Sequence, residues 1–254
     1  MATMPELFAA VQEADGPVLV LLHGFADCHR AWDDVRACLG SPMCILAYDL
    51  PGHGGSFAWP DAGPAKVAAR AILADLDRRG IAAAHFAGHS MGGAVAVLAA
   101  LADPERVASL TLLAPGGLGP EINQRLLERY AAARAPEDIR VCLEAMFGWT
   151  SPVPEALVER QAEERGLPGR TEKLVGIAAT LAREGRQGEI PRERLAGLAM
   201  PVTIAWGGLD NVLPVRQTSG LPGHFAVHVF ADLGHMLPQE APAEMARLIR
   251  RNIG

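Results

Sequence analysis

A serine between two glycines, in Gly88-His89-Ser90-Met91-Gly92, is the residue of this 254-residue chain best suited to nucleophilic chemistry. A short apolar run, Ala82 to Ala87, precedes it, and an alanine-rich, helix-favouring segment, Gly93 to Leu101, follows it. The pattern Gly-x-Ser-x-Gly between a strand and a helix is typical of a strained turn that raises the serine hydroxyl above the end of a sheet. The helix also points its N-terminal amides at the oxygen on which charge develops during acyl transfer. This segment therefore predicts an acyl-transfer nucleophile at Ser90.

An aspartate and a histidine follow later apolar runs and could complete the chemistry of this serine. A serine hydroxyl is a weak nucleophile near neutral pH, so it needs a base to accept its proton and an acid to fix the tautomer of that base. Asp210 follows the run Pro201–Trp206, and His235 follows Phe225–Phe230. The order Ser90, Asp210, His235 is one in which such triads occur. We expect His235 to be the general base and Asp210 to orient it.

The segment His23-Gly24-Phe25 follows a third apolar run, Val18–Leu22. In a parallel sheet, reactive groups gather at the carboxyl ends of the strands. We therefore expect the oxyanion to be held by the main-chain N–H groups of Phe25 and Met91, with Gly24 allowing the loop to approach closely.

A substrate pocket is expected between these groups and the most apolar cluster of the second half of the chain. Gly24, Phe25 and Met236 lie next to the predicted catalytic residues in the sequence. The cluster is Met146, Phe147 and Trp149, which could equally pack a helical cap onto the core.

Strand-like runs alternate with helix-like segments along most of the chain. The strands are expected at Val18–Leu22, Met43–Tyr48, 82–87, Val107–Leu113, Pro201–Trp206 and Phe225–Phe230. The helices that border them are expected at Ala31–Leu39, Ala65–Arg79, 93–101 and Pro242–Arg251. This alternation predicts an α/β fold with a mostly parallel sheet covered by helices on both faces. Residues 1–16 carry no clear pattern.

The region from about 117 to 196 differs from the rest, because it is rich in arginine and glutamate, is broken by prolines and lacks strand-like runs. We interpret it as a helical cap inserted into one domain, 1–254, whose core comprises 1–116 and 197–254. The alternative is that these helices belong to the main fold. A connection between two parallel strands needs only about a dozen residues, far fewer than this region contains.

Composition excludes several classes of function. Half of the residues are hydrophobic and the net charge is -6, without a basic run, which argues against a nucleic-acid partner. The four cysteines show no metal-binding or disulfide spacing, and no glycine-rich segment matches a dinucleotide or phosphate loop, so we expect neither metal nor cofactor.

No apolar run is long enough to span a membrane, and nothing at the start resembles a signal peptide. We expect a cytoplasmic protein that acts on a small-molecule acyl substrate.

Together these motifs make the sequence resemble the α/β-hydrolase superfamily. The matching stretches are His23-Gly24-Phe25, Asp49–Gly54, Gly88–Gly92, Trp206–Asp210 and Gly234-His235. The resemblance implies the α/β-hydrolase fold, although the 17 residues before Val18 leave little room for the usual first hairpin, so fewer than eight strands are expected. Within the superfamily the chain is most similar to the hydrolase-like domain of the acetyltransferase (E2) component of acetoin dehydrogenase, through Leu113–Asn123, Gly185–Gln187 and the run into Trp206.

Three functions best fit these residues, and carbon–carbon bond hydrolysis and cofactor-free perhydrolysis, which use the same triad, are also compatible with them. The first is a cofactor-independent serine hydrolase that cleaves a small or medium acyl ester, thioester or lactone through an acyl-enzyme. The second, implied by the E2 resemblance, is transfer of the acyl group to a thiol such as dihydrolipoamide or coenzyme A. Neither Lys66 nor Lys173 lies in a lipoyl-type turn, so a partner would have to supply the acyl group. The third is a ligand receptor that keeps the fold with little turnover. The sequence indicates neither the substrate nor the oligomeric state.

Overall fold

The apolar runs of the sequence form one central sheet. The computed structural model describes residues 6–40 and 42–254. Residues 1–5, which were predicted to belong to the core part of the domain, lie outside these ranges. Within them the sheet has seven strands: β1 (Ala9–Gln12), β2 (Val18–Leu22), β3 (Cys44–Tyr48), β4 (Ala84–His89), β5 (Val107–Leu113), β6 (Val202–Gly207) and β7 (Ala226–Phe230). All six predicted strands are present, with bounds within two residues of those expected.

The strand order is β1-β3-β2-β4-β5-β6-β7, and all neighbours are parallel except β1 and β3. Strand β2 lies between β3 and β4, and four of its five residues are buried. Because both faces of β2 are covered, its sequence is a continuous apolar run rather than an alternating one. The seven strands agree with the expectation of fewer than eight, and β1 fills part of the region that carried no clear pattern.

Ten α-helices are present in the described ranges, and four of them cover the sheet. They are α1 (Asp33–Leu39), α2 (Ala65–Arg78), α3 (Met91–Ala102), α4 (Gln124–Ala132), α5 (Pro136–Glu144), α6 (Glu155–Gly166), α7 (Arg170–Leu181), α8 (Arg192–Ala196), α9 (Leu237–Glu240) and α10 (Pro242–Ile253). Helix α2 packs against α3, and α1 packs against α10. These two pairs cover the two faces of the sheet.

Helices α4 to α8 all lie between β5 and β6, in the region interpreted as a cap. Helix α4 contacts α5 and α7, and α6 contacts α5 and α7. Their buried residues include Leu127, Ile139, Leu143 and Val158, which gives the cap helices apolar contacts of their own. Residues of α4 and α7, Leu127, Tyr130 and Leu181, line the same cavity as residues that follow β2 and β4, so this region lies beside the edge at which the parallel strands end.

Candidate active site

The turn after β4 carries Ser90 in a strained conformation. Its φ angle is +51°, in the left-handed region that residues other than glycine rarely adopt. The turn also needs glycines on both sides, because a Cβ at Gly88 would lie 2.4 Å from the Gly92 carbonyl oxygen and one at Gly92 would lie 2.2 Å from that of Leu22. This close approach between main chains allows β4 to run directly into α3 with Ser90 at the junction.

The structure brings the three predicted catalytic residues into one hydrogen-bonded line. Nε2 of His235 lies 2.9 Å from Ser90 Oγ, and Nδ1 of His235 lies 2.8 Å from Asp210 Oδ2. The other Asp210 oxygen, Oδ1, accepts hydrogen bonds of 2.8 Å from the N–H groups of Val212 and Leu213. These bonds fix the carboxylate, which in turn favours the imidazole tautomer that presents an unprotonated Nε2 to Ser90.

A fourth residue, Glu240 on α9, holds the loop that carries His235. Its carboxylate accepts hydrogen bonds from the N–H groups of Gly234 and Met236, on either side of the histidine, at 3.0–3.1 Å. It also accepts one of 2.7 Å from Gly148 in the cap region. Glu240 was not predicted from the sequence, because its position five residues after His235 gives no sign of this role.

The two amides expected to hold an oxyanion lie beside the serine. Phe25 and Met91 both line the cavity at Ser90, and in the described part of the chain neither main-chain N–H donates a hydrogen bond to another protein group. The next residue, Ala26, has a φ of +61°, so the loop after β2 is strained like the serine turn. Gly24 passes close to the serine, since a Cβ there would lie 3.3 Å from that of Ser90.

Buried histidines fix these loops. His53 accepts a hydrogen bond from the Ala26 N–H at 3.2 Å through Nε2, which ties the turn after β3 to the loop after β2. His89 donates through Nε2 to the His235 carbonyl oxygen, 2.9 Å away. Burial lowers the pKa of His53 and the pKa of His89 each to about 3, and the neighbouring His23 and His235 add to the respective shifts. Both rings are therefore neutral at physiological pH.

A cavity of about 330 Å³ opens next to Ser90 and His235, between the sheet edge and the cap. Among the predicted pocket residues, those that line it are Gly24, Phe25, Met146 and Met236. The expectation was wrong for the other two, because Phe147 is buried in the core and Trp149 is 86% exposed to solvent. Most of the remaining wall is apolar, and it includes Leu98, Ile122, Leu127, Leu181, Ile190 and Leu213.

Another group of potential ligands lies outside the cavity wall. Atoms of Cys28, His29 and Asp49 that could bind a metal lie within 4.8 Å of one another. The Asp49 oxygens already accept hydrogen bonds from the main-chain N–H and Nδ1 of His29 and from the N–H of Gly55. These bonds give Asp49 a structural role in anchoring the turn after β3. In residues 6–40 and 42–254, no helix has the length and apolar character needed to cross a bilayer.

Comparison with known proteins assigns the family. The model of the alpha/beta hydrolase family matches residues 19–248. The chain belongs to this family. The predicted resemblance to the E2 component is also confirmed, because the chain is 32% identical over 236 residues to the dihydrolipoyllysine-residue acetyltransferase component of the acetoin cleaving system of Cupriavidus necator. That match covers 93% of this chain but only 63% of the relative.

Two further relatives are hydrolases. The chain is 28% identical over 247 residues to a 2-hydroxy-6-oxononadienedioate/2-hydroxy-6-oxononatrienedioate hydrolase of Burkholderia vietnamiensis, covering 91% of this chain and 85% of the relative. The structure of a meta-cleavage product hydrolase from Pseudomonas fluorescens superposes with a TM-score of 0.84 at 21% identity, covering 97% and 94% of the two chains, which supports the fold. By their names, these relatives comprise two hydrolases and one acetyltransferase component.

Proposed function

We propose that this alpha/beta hydrolase family member cleaves a small or medium acyl ester, thioester or lactone through an acyl-enzyme on Ser90. The observation that best supports the proposal is the continuous line of hydrogen bonds from Ser90 through His235 to Asp210, at the wall of an apolar cavity. A cavity of about 330 Å³ suits a small organic molecule rather than a polymer.

The reaction begins when Ser90 Oγ attacks the acyl carbonyl carbon and passes its proton to His235 Nε2, 2.9 Å away. The Asp210 carboxylate stabilises the imidazolium that forms. The N–H groups of Phe25 and Met91, which have no other partner in the described ranges, hold the oxyanion of the tetrahedral intermediate. His235 then protonates the leaving group, and a water molecule that it activates releases the acid.

The test is hydrolysis of p-nitrophenyl esters from acetate to decanoate by the wild-type protein and by Ser90→Ala. We expect the variant to lose roughly 10⁵- to 10⁶-fold in kcat, because the nucleophile acts as a unit with its base. Ser219→Ala, at an exposed serine outside the cavity, is the matched control and retains activity. Absence of hydrolysis by the wild type, together with failure of a fluorophosphonate to label Ser90, would contradict the proposal and favour the receptor hypothesis.

A second candidate is transfer of the acyl group to a thiol, which the relative from Cupriavidus necator favours by its name. The same acyl-enzyme would then be resolved by dihydrolipoamide or coenzyme A in place of water. The test adds each thiol to the ester assay and measures the ratio of thioester to free acid. A transferase forms mainly thioester at low thiol concentration, whereas a hydrolase forms acid throughout.

A further inference from the structure

The cavity beside Ser90 contains a second polar region, formed by Tyr130 on α4 and Asp27 in the loop after β2. Tyr130 is 3% exposed, and the Asp27 side chain is 6% exposed. Both side chains are therefore largely buried, but neither the Tyr130 hydroxyl nor Asp27 Oδ2 is fully shielded from solvent, so both atoms remain accessible. The mechanism proposed above uses neither of them.

The ring of Tyr130 is held by its neighbours, but its hydroxyl is not. Its ring packs edge-on against Phe25 with centroids 6.4 Å apart, and the Arg165 guanidinium lies 4.2 Å from its centroid. Across residues 6–40 and 42–254, the hydroxyl has no hydrogen-bond partner in the protein. Burial raises the pKa of Tyr130 to about 12, while the positive charge of Arg165 lowers this pKa and the negative charge of Asp27 raises it. The phenol is therefore neutral and can donate a hydrogen bond.

Asp27 has one fixed oxygen and one free oxygen. Oδ1 accepts hydrogen bonds from the Cys28 N–H at 2.9 Å and from Nη2 of Arg160, on cap helix α6, at 2.8 Å. In the described part of the chain, Oδ2 accepts none. Because Arg160 balances the charge and the Cys28 amide fixes the geometry, the carboxylate presents Oδ2 as an acceptor in a set position.

We propose that Tyr130 and Asp27 form a subsite for a hydroxyl group of the substrate. A hydroxyl is both donor and acceptor, so it can accept from the Tyr130 phenol and donate to Asp27 Oδ2. An ammonium group cannot accept from Tyr130 and would lie near Arg160, and a substrate carboxylate would face the carboxylate of Asp27. The substrate class is therefore an ester or thioester with a hydroxyl on its acyl or alcohol part, an inference that rests on the proposed acyl-cleaving function.

The experiment compares matched ester pairs with and without the hydroxyl. On the acyl side, p-nitrophenyl hexanoate is compared with its analogues hydroxylated at the third or the last carbon, and with carboxyl- and amino-terminated analogues. On the alcohol side, propyl hexanoate is compared with the monohexanoate of a propanediol. The wild type is expected to prefer at least one hydroxylated ester about tenfold in kcat/KM, the scale of one or two hydrogen bonds made in a buried site.

The variants Tyr130→Phe and Asp27→Asn test the source of this preference. Tyr130→Phe removes only the hydroxyl, so kcat/KM for the preferred ester should fall about tenfold while that for the plain ester stays within about twofold. Asp27→Asn keeps acceptor oxygen for Cys28 and Arg160 and should reduce the same preference. Equal use of plain and hydroxylated esters by the wild type, a preference that survives Tyr130→Phe, or a stronger preference for a carboxyl or amino group would overturn the subsite.

A binding measurement separates failure of the subsite from failure of the proposed function. Calorimetry on Ser90→Ala with the same ester pairs needs no turnover, and it should show about tenfold tighter binding of the hydroxylated ester, lost in Ser90→Ala/Tyr130→Phe. Loss of the hydroxyl preference with Ser90 still labelled by a fluorophosphonate would reject the subsite alone. Unlabelled Ser90 with the binding preference intact would reject the proposed function and keep the subsite.

Discussion

The Glu240 carboxylate holds the main chain on both sides of His235. It accepts hydrogen bonds of 3.0–3.1 Å from the N–H groups of the residues before and after the histidine. The same carboxylate accepts another hydrogen bond, of 2.7 Å, from the N–H of Gly148, which lies in the cap loop that follows α5. The His235 N–H donates to the Met146 carbonyl oxygen at 2.7 Å, so the histidine loop and the cap are joined from both sides. We therefore expect the position of His235, the proposed general base, to depend on a residue that makes no hydrogen bond to Ser90 or Asp210.

Glu240→Gln should lower kcat roughly tenfold and leave KM nearly unchanged. A glutamine offers one acceptor oxygen where three N–H groups need partners, so the loop shifts and the His235–Ser90 geometry is lost in part. The ester assay measures this split, and Glu244→Gln, at an exposed glutamate on α10 bound to Arg247, is the matched control. Wild-type kcat in Glu240→Gln would show that the loop keeps its place without the carboxylate.

Asp210→Asn should reduce kcat by roughly 10³- to 10⁴-fold, because the amide favours the wrong tautomer of His235 and does not stabilise its positive charge. Its Oδ1 can still accept from Val212 and Leu213, so the fold is expected to survive. Circular dichroism and the thermal midpoint check the fold, and the ester assay gives kcat. A loss smaller than tenfold would assign the orienting role to another acid.

The local motifs made much of the site predictable from sequence. Ser90 and Asp210 follow the buried strands β4 and β6, whereas His235 follows β7, an edge strand with exposed valines, and the parallel sheet brings these strand ends to one edge. The cap residues were harder to place, since helical segments alone do not fix which way their connecting loops face. Gly148 packs so closely that a Cβ there would lie 2.2 Å from the Asp232 carbonyl oxygen. That contact is long-range in sequence, as are the bonds of Glu240.

Met146→Ala and Trp149→Ala should have different effects on the preferred acyl-chain length and on stability, although both residues were predicted to line the pocket. Met146 lines the cavity and is buried, so its truncation enlarges the cavity and shifts the best ester toward longer acyl chains, at a cost of about 2–5 kcal/mol in stability. Trp149 is 86% exposed, so its truncation should leave the chain-length profile and the stability unchanged to about 0.5 kcal/mol. The p-nitrophenyl series and urea unfolding measure both effects. A changed profile in Trp149→Ala would place the indole over the cavity mouth in solution.

The stability of the protein should fall as the pH drops below about 6.5. In the native state burial holds the pKa of His53 and that of His89 at about 3, whereas both histidines titrate near 6.5 in the unfolded chain. Between these values the unfolded state binds more protons, so the free energy of unfolding rises with pH and is fully recovered above 6.5. Each histidine contributes roughly 2 kcal/mol to the loss at pH 5.

Urea unfolding of the wild type and of His53→Gln at pH 7.5 and pH 5 measures this contribution. The glutamine keeps an acceptor for the Ala26 N–H but has no proton to gain, so the difference in stability between the two pH values should shrink by roughly 2 kcal/mol. An unchanged difference would mean that His53 does not carry its share of the acid sensitivity.

Gly92→Ala should both destabilise the protein and abolish ester hydrolysis. The new Cβ would lie 2.2 Å from the Leu22 carbonyl oxygen and 2.5 Å from that of His23, and neither main-chain atom can move without displacing β2 from the sheet. We expect a loss of about 2–3 kcal/mol in urea unfolding, with the serine turn shifted from His235. Gly176→Ala on α7 is the matched control: its Cβ would meet nothing within 4 Å, and the gain in helix propensity should stabilise the protein by about 0.5–1 kcal/mol. Because the two substitutions add the same methyl group, opposite signs of their changes in unfolding free energy would assign the effect at Gly92 to the close approach of main chains. Wild-type stability in Gly92→Ala would instead show that the turn can open without cost.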